Sequence, residues 1–293
     1  MSNQNDKNQV ETTGHEWDGI EEYNNPLPKW WVWIFYACII WAIGYSIAYP
    51  AWPLIKGATP GLLGWSTRAN VQADIDAVDE RNGAINERLA SAEPAAIADD
   101  AELLGYAQNA GASVFRANCS QCHGSGAQGV QAGGFPTLID DDWLWGGTMD
   151  DIVYTVTHGI RNEQDGEARW SEMPAFGDIL PEEEITAVVQ HVRALSGQEH
   201  DAALAATGAE VFDINCSSCH GVDGKGDQFQ GAPNLTDAIW LYGGDEDTIT
   251  HTVTYSRFGV MPAWNLDARP GSGLTEAEIK AVATYVHSLG GGI

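Results

Sequence analysis

Cys119-Ser120-Gln121-Cys122-His123 places two thiols two residues apart, with an imidazole directly after the second. Three chemistries use such a pair. A thioredoxin-like redox disulfide belongs in a βαβ pattern and has no use for the trailing histidine. A structural zinc site needs two further Cys or His ligands per metal at matching spacing. In covalent haem attachment the thiols add across porphyrin vinyl groups and the adjacent histidine ligates the iron, which uses every residue of the pentad. The pentad recurs as Cys216-Ser217-Ser218-Cys219-His220, 97 residues further on. Two occurrences at the heads of similar segments select haem c over the other two readings, with Cys119, Cys122, Cys216 and Cys219 as attachment positions and His123 and His220 as axial ligands.

The surrounding residues repeat as well. Pro136, Leu138, Trp143 and Gly146-Gly147 return as Pro233, Leu235, Trp240 and Gly243-Gly244. Asp150, Ile152 and Val156 return as Asp247, Ile249 and Val253. Register then slips by nine residues around Arg161 to Arg169 and resumes at Met173-Pro174-Ala175 against Met261-Pro262-Ala263. Each copy closes with an apolar-periodic helix. The first, Pro181 to Leu195, has proline at its start. The second, Thr275 to Leu289, has Thr275 and Glu278 in capping-box spacing and Gly290 as a stop. The expectation is two mostly helical domains, 104–198 and 203–293, each wrapped around one haem.

Apart from Met1 the methionines are Met149, Met173 and Met261. Only Met173 and Met261 occupy equivalent places, in loops ahead of the last helix, so these are the candidate second axial ligands. His/Met ligation raises the iron potential and leaves no vacancy for oxygen, which suits electron transfer. His158, His191, His251 and His287 lack a histidine counterpart in the other copy and read as packing or surface residues. Arg161 and Arg257 lie in similar loops and are candidate partners of haem carboxylates. Gly124-Ser125-Gly126-Ala127-Gln128-Gly129 matches a dinucleotide fingerprint but follows a haem helix rather than a strand, and the second copy loses the pattern. A nucleotide site is rejected.

The elements that must carry these sites begin at the N-terminus. Residues 30–49, WWVWIFYACIIWAIGYSIAY, hold no charge and span one hydrocarbon thickness as a helix, with aromatic residues at both ends. The acidic preceding segment and the length of the apolar run exclude a cleaved signal peptide. The expected layout is a cytoplasmic segment 1–29, a transmembrane helix 30–52, and a periplasmic linker 53–103 containing a short amphipathic helix interrupted by Gly83. That orientation follows from the haem motifs, which mature outside the bacterial inner membrane. Flanking charge does not decide it. Gly44 and Ala48, with Ala42 and Ser46, offer small-residue spacings for packing against another helix. The formal charge of −27 is distributed along the chain, which disfavours nucleic acid and steers basic partners.

Taken together, His15-Glu16-Trp17-Asp18-Gly19-Ile20, Asn25-Pro26-Leu27-Pro28 before Trp30-Trp31, and the two haem segments resemble the dihaem CcoP/FixP family, subunit III of cbb3-type cytochrome c oxidases. The resemblance covers nearly the whole chain. It implies a mainly α protein with one N-terminal transmembrane helix and two tandem class I cytochrome c domains, carrying two covalently bound haem c groups. It implies His123 with Met173 on one iron and His220 with Met261 on the other. It further implies an electron-transport role in the respiratory chain. Electrons would arrive from a soluble or membrane-tethered cytochrome c and leave for the monohaem subunit and the haem–copper catalytic subunit, where oxygen is reduced and protons are pumped. No catalytic acid, base or copper cluster is expected in this chain, which conducts electrons. Two other readings stand beside it: a dihaem carrier serving another membrane redox enzyme, and a haem gas sensor.

Overall fold

The computed structural model describes residues 11–292. They form a mainly helical protein in two compact units, one ending at Arg81 and one starting at Asn82.

In the first unit, strands β1 (Thr12–Trp17) and β2 (Ile20–Tyr23) pair antiparallel across Asp18-Gly19. Both turn residues have positive φ (48° and 82°), the backbone of a tight two-residue hairpin for which Asp-Gly is suited. Helix α1 (Lys29–Ala48) follows Pro28, and none of its residues is buried within the protein. Its 20 residues are long and apolar enough to cross a membrane. After a small hairpin of β3 (Pro53–Leu54) and β4 (Gly57–Ala58), the chain folds back so that the Leu62 and Leu63 amides donate to the Ile47 and Ala48 carbonyls. Those acceptors lack partners inside the helix. Helix α2 (Thr67–Ser91) starts with Ser66 Oγ accepting from the Ala69 amide. The amphipathic helix expected over Ser66 to Ala90, with its apolar spacing interrupted at Gly83, is one continuous 25-residue helix running through that glycine. A single interior glycine costs about 1 kcal/mol, and Ile85 and Leu89 dock on a core beyond it.

The second unit holds both repeats. The first contributes α3 (Ala101–Val114), a wide π-helical turn (Phe115–Cys119), α4 (Ser120–His123), α5 (Met149–His158) and α6 (Glu182–Leu195). The second contributes α7 (Ala202–Asn215), α8 (Ser217–His220), α9 (Glu246–Tyr255) and α10 (Glu276–His287). Caps repeat too. Asp100 and Asp201 each accept from two amides of the following turn, and Thr275 and Glu278 form the expected capping box.

The packing departs from two self-contained tandem domains. Helix α6 packs on α7, and α10 packs on α3. Each first helix of a repeat is therefore covered by the last helix of the other repeat. The closest approaches correspond: a Cβ at Gly111 would lie 2.0 Å from the Ala281 carbonyl oxygen, and one at Gly208 would lie 2.0 Å from that of Ala187. Helix α9 packs on α6, and α5 on α10. The expected units 104–198 and 203–293 thus exchange their C-terminal parts. One body, B, runs contiguously through Met173, α6, α7, α8 and α9. The other, A, is built from α3 to α5 and from Met261 through α10. The reason is the six residues, 196–201, between α6 and α7. So short a connection makes consecutive helices neighbours. An identical repeat order in sequence carries no information on which copy closes which domain.

Reciprocal contacts join the bodies. The Trp145 indole lies where a Cβ on Gly231 would clash at 2.2 Å, and the Tyr242 ring does the same at Gly134 at 2.1 Å. Trp145 and Tyr242 are repeat equivalents, as are Gly134 and Gly231, so a local pseudo-twofold axis runs between them. Asp140 and its equivalent Asp237 approach each other there, with Asp142 beside them. Burial, then the charges of Asp237, Asp140 and Asp141, push the Asp142 carboxyl up to about 6.

Gly111→Val and Gly208→Val are each expected to destabilise the second unit by about 3 kcal/mol or more, because the new side chain meets backbone. Gly105→Ala, on the open side of α3, is expected to stabilise it by about 0.5–1 kcal/mol. Chemical denaturation checks both. For Asp142, a carboxyl raised above its unfolded value supports folding while protonated. That support is complete below about pH 4 and is lost as pH rises through about 6. Asp142→Asn should therefore raise Tm at pH 7, by the equivalent of about 1 kcal/mol after allowing for partial exposure, and leave it unchanged below pH 4.

Candidate functional site

Both pentads fold alike. Each cysteine pair lies on a single helical turn, and Gly124 and Gly221 reverse the chain after the histidine with φ of 79° and 74°. The His123 carbonyl accepts from the Gly129 amide at 2.8 Å, and the His220 carbonyl accepts from Gly226 at 2.8 Å. The glycines of the false nucleotide fingerprint are thus turn residues beside the attachment helix.

The imidazoles are oriented identically. His123 Nδ1 lies 3.1 Å from the Pro136 carbonyl oxygen, and His220 Nδ1 lies 3.1 Å from that of Pro233. A carbonyl only accepts, so Nδ1 carries the proton and Nε2 keeps its lone pair, the arrangement that orients a metal-ligating histidine. Burial holds both rings' pKa below the ordinary value despite the carbonyl contacts, so they are neutral. Burial, then the neighbouring thiol, pushes Cys119 and Cys216 up to about 11.

A cavity opens against His220. Cys216, Cys219 and Met173 line it together with Val188 and Val192 of α6, Phe212 of α7 and Ile249 and Val253 of α9. The methionine in this cavity is the first repeat's, not Met261. On the other side Met261 borders the core shared by Phe115, Cys119, Ile152, Val156 and Val282. The structure thus places Met173, expected with His123, beside His220, and Met261, expected with His220, beside the core of Cys119: the methionine-bearing segments cross along with the helices that follow them. The crossing strands meet where Ile160 and Met261 exchange backbone hydrogen bonds of 2.9 and 3.0 Å. The Ser256 hydroxyl donates to the Met173 carbonyl at 2.6 Å.

The remaining candidates fall into place. His158 pairs with Asp165 at 3.1 Å, inside the nine-residue insertion. His191 lies against Phe212 and His251 against Tyr255. Met149 packs between the core that Cys119 and Met261 border and the core of Leu89 and Ala277. Arg161 and Arg257 both line the His220 cavity, but their guanidinium groups donate to chain oxygens, Arg257 to Thr252 Oγ1 and the Thr248 carbonyl. Among the described residues no three His, Cys, Asp or Glu side chains gather as a zinc site requires. The donor set at each pentad is two thiols and a neutral imidazole aimed by its other nitrogen, with the Met173 thioether in the apolar cavity at His220 and Met261 beside the core that Cys119 borders. It fits a flat apolar iron porphyrin attached through its edge.

Three families match along the chain. The N-terminal domain of cytochrome oxidase-cbb3, FixP, matches residues 9–56. Cytochrome C oxidase, cbb3-type, subunit III, matches 107–192, and cytochrome c matches 205–290. The chain is 62% identical to the cbb3-type cytochrome c oxidase subunit CcoP of Cereibacter sphaeroides, over 96% of this chain and 95% of that protein. It is 54% identical to CcoP of Rhodobacter capsulatus, over 98% and 97%. It is 51% identical to FixP of Azorhizobium caulinodans, over 96% and 93%. The chain belongs to the CcoP/FixP family of cbb3-type oxidase subunits. Its two cytochrome c domains correspond to two covalent haem c groups. As a CcoP/FixP chain it is read with the hairpin and α1 as its family-specific entry and the crossed bodies A and B as its redox unit. The family matches at 107–192 and 205–290 follow sequence order, and each includes its own copy's methionine. Linear matching is blind to the crossing for the same reason the repeat was.

Proposed function

We propose that this chain is the membrane-anchored electron relay of a cbb3-type terminal oxidase. It takes electrons from a soluble or tethered cytochrome c and passes them to the monohaem and haem–copper subunits for oxygen reduction and proton pumping. The observation that carries the reading is the pair of neutral, carbonyl-oriented histidines, each directly after two cysteines, with Met173 in the cavity of His220 and Met261 beside the core that Cys119 borders. Cys119 and Cys122 would hold one haem, with His123 and Met261 as the residues that would bind its iron. Cys216 and Cys219 would hold the other, with His220 and Met173. Bound there, each haem supplies a low-spin, one-electron couple. The chain's residues do the rest. They fix the imidazole tautomer, present sulfur from a loop anchored on the other repeat, and line the cavity with aliphatic and aromatic side chains that exclude water. Helix α1 spans the inner membrane with residues 1–29 cytoplasmic and both redox bodies periplasmic, since attachment to CxxCH takes place on that side.

In the intact oxidase, Cys216→Ser with Cys219→Ser should abolish oxygen uptake driven by reduced cytochrome c while the subunits still copurify after mild detergent extraction. Unchanged uptake, or copurification with a different enzyme, would remove the relay reading. For the ligands, Met261→His should lower the potential of the haem at Cys119 and Cys122 by on the order of 0.1 V and leave the other unchanged. Met173→His should do so only for the haem at Cys216 and Cys219. Redox titration checks this in chains carrying one attachment pair at a time, and the opposite assignment would restore the uncrossed pairing.

A further inference from the structure

Arg161 occupies the point where the two crossing strands meet. Its backbone lies in the left-handed region (φ 51°), which a non-glycine residue adopts only where its surroundings hold it there. Its Nε donates to the Gly259 carbonyl at 2.7 Å, and its Nη1 donates to the Ser171 carbonyl at 2.7 Å. Gly259 stands two residues before Met261, and Ser171 two residues before Met173. The two carbonyls are repeat equivalents, so a single guanidinium bridges matching points of both methionine loops. In the register that precedes the insertion, position 161 falls opposite Phe258 of the second copy, whose ring lies under the same guanidinium at 5.7 Å. Phenylalanine donates nothing. The second copy therefore has no clasp of its own at this position, and one side chain serves both loops.

Two further contacts place Arg161 at the shared point. The preceding residue, Ile160, is tied to Met261 through both backbone hydrogen bonds. The Arg161 side chain also lines the cavity that contains Met173 and His220. Arg257 lines that cavity too, but it is bound to Thr248 and Thr252 of α9 and stacks on Tyr242, all in body B. The geometry points to Arg161 as a positioning residue that sets the hold of both methionines on their irons at once, coupling the two sites through one cation. This goes beyond the ligand assignment and depends on it only in naming which iron each loop serves. The guanidinium touches both loops whichever way the pairs are drawn.

The test uses the full-length chain with both haems, in its oxidase complex, and imidazole as a competing ligand for ferric iron. Imidazole displaces the methionine, and loss of the far-red sulfur-to-iron charge-transfer band reports the displacement. The two sites are told apart through the single Met→His variants. Arg161→Ala should tighten apparent imidazole binding roughly ten-fold at both haems, the scale of a lost charged hydrogen bond at each loop. Arg257→Ala should do so at the haem of His220 alone. Arg161→Lys keeps the charge and reaches one carbonyl but not both, so it should restore near-normal affinity at one haem only. Should Arg161→Ala fail to assemble, Arg161→Lys carries the test by itself. An Arg161→Ala effect confined to one haem, no effect at either, or Arg161→Lys indistinguishable from the unmodified chain at both would overturn the proposal. Any of these outcomes leaves the relay reading and the ligand pairs standing, since those are decided by the cysteine and methionine variants.

Discussion

Helices α6 and α7 are joined by six residues and pressed together until the Ala187 carbonyl occupies the space a side chain at residue 208 would need. That contact determines the rest of the second unit. With α6 committed to α7, helix α3 packs its apolar face on α10 and on Leu89 and Ile97 before it, and the Gly111–Ala281 approach repeats the same geometry. The loop that precedes each closing helix must travel with it. Met173 therefore arrives at the His220 cavity and Met261 at the core of Cys119, and the strands after α5 and α9 have to cross. Two glycines at one repeat position and one short connector thus decide which sulfur faces which histidine.

Electrostatics divides the molecule into two regimes. The histidines sit where burial disfavours charge, and the prolyl carbonyls take the one proton each ring keeps. The net negative charge of −27 is distributed along the chain. It intrudes at one internal seam, where the pseudo-twofold axis brings Asp140, Asp142 and Asp237 together. A duplicated acidic residue near a symmetry axis meets its own copy. The first repeat offsets part of its acidity through Arg169, which pairs with Asp151 and covers the Trp145 and Tyr154 rings.

Much of this was legible in the residues. CxxCH is local chemistry: its spacing works on one helical turn whatever surrounds it, so both attachment sites could be read without a fold. The capping residues Thr275 and Glu278, the apolar span of α1 and the turn role of Gly124 and Gly129 are local in the same sense. Gly83 acts as a breaker in isolation, whereas the docking of Ile85 and Leu89 is a tertiary term that lets α2 run through it. Which methionine segment lies beside which pentad was illegible for a deeper reason. Repeat alignment compares each copy with the other and so treats uncrossed and crossed closure as equal. The signals that separate them were present in the matched glycines at 111 and 208 and in the short connector at 196–201. They are geometric, and acquire meaning only when consecutive helices are required to be neighbours. The insertion at 161–169 likewise looked like a register slip. In the fold it turns back on α5, where Asp165 meets His158 and Asn265, and so ties the first crossing strand to the returning one.

The insertion of body B within body A also sets an order of assembly. Body B is contiguous, and its central pair, α6 and α7, closes over a connector so short that little loop entropy is lost. Body A must bring α3 and α10 together from opposite ends of the second unit, a contact of high sequence separation and a correspondingly slow one. Once B is formed, its two ends emerge side by side at Ile160 and Met261, where the backbone pairing holds them. The effective loop that A must close then shrinks from the whole of B to the width of that pairing.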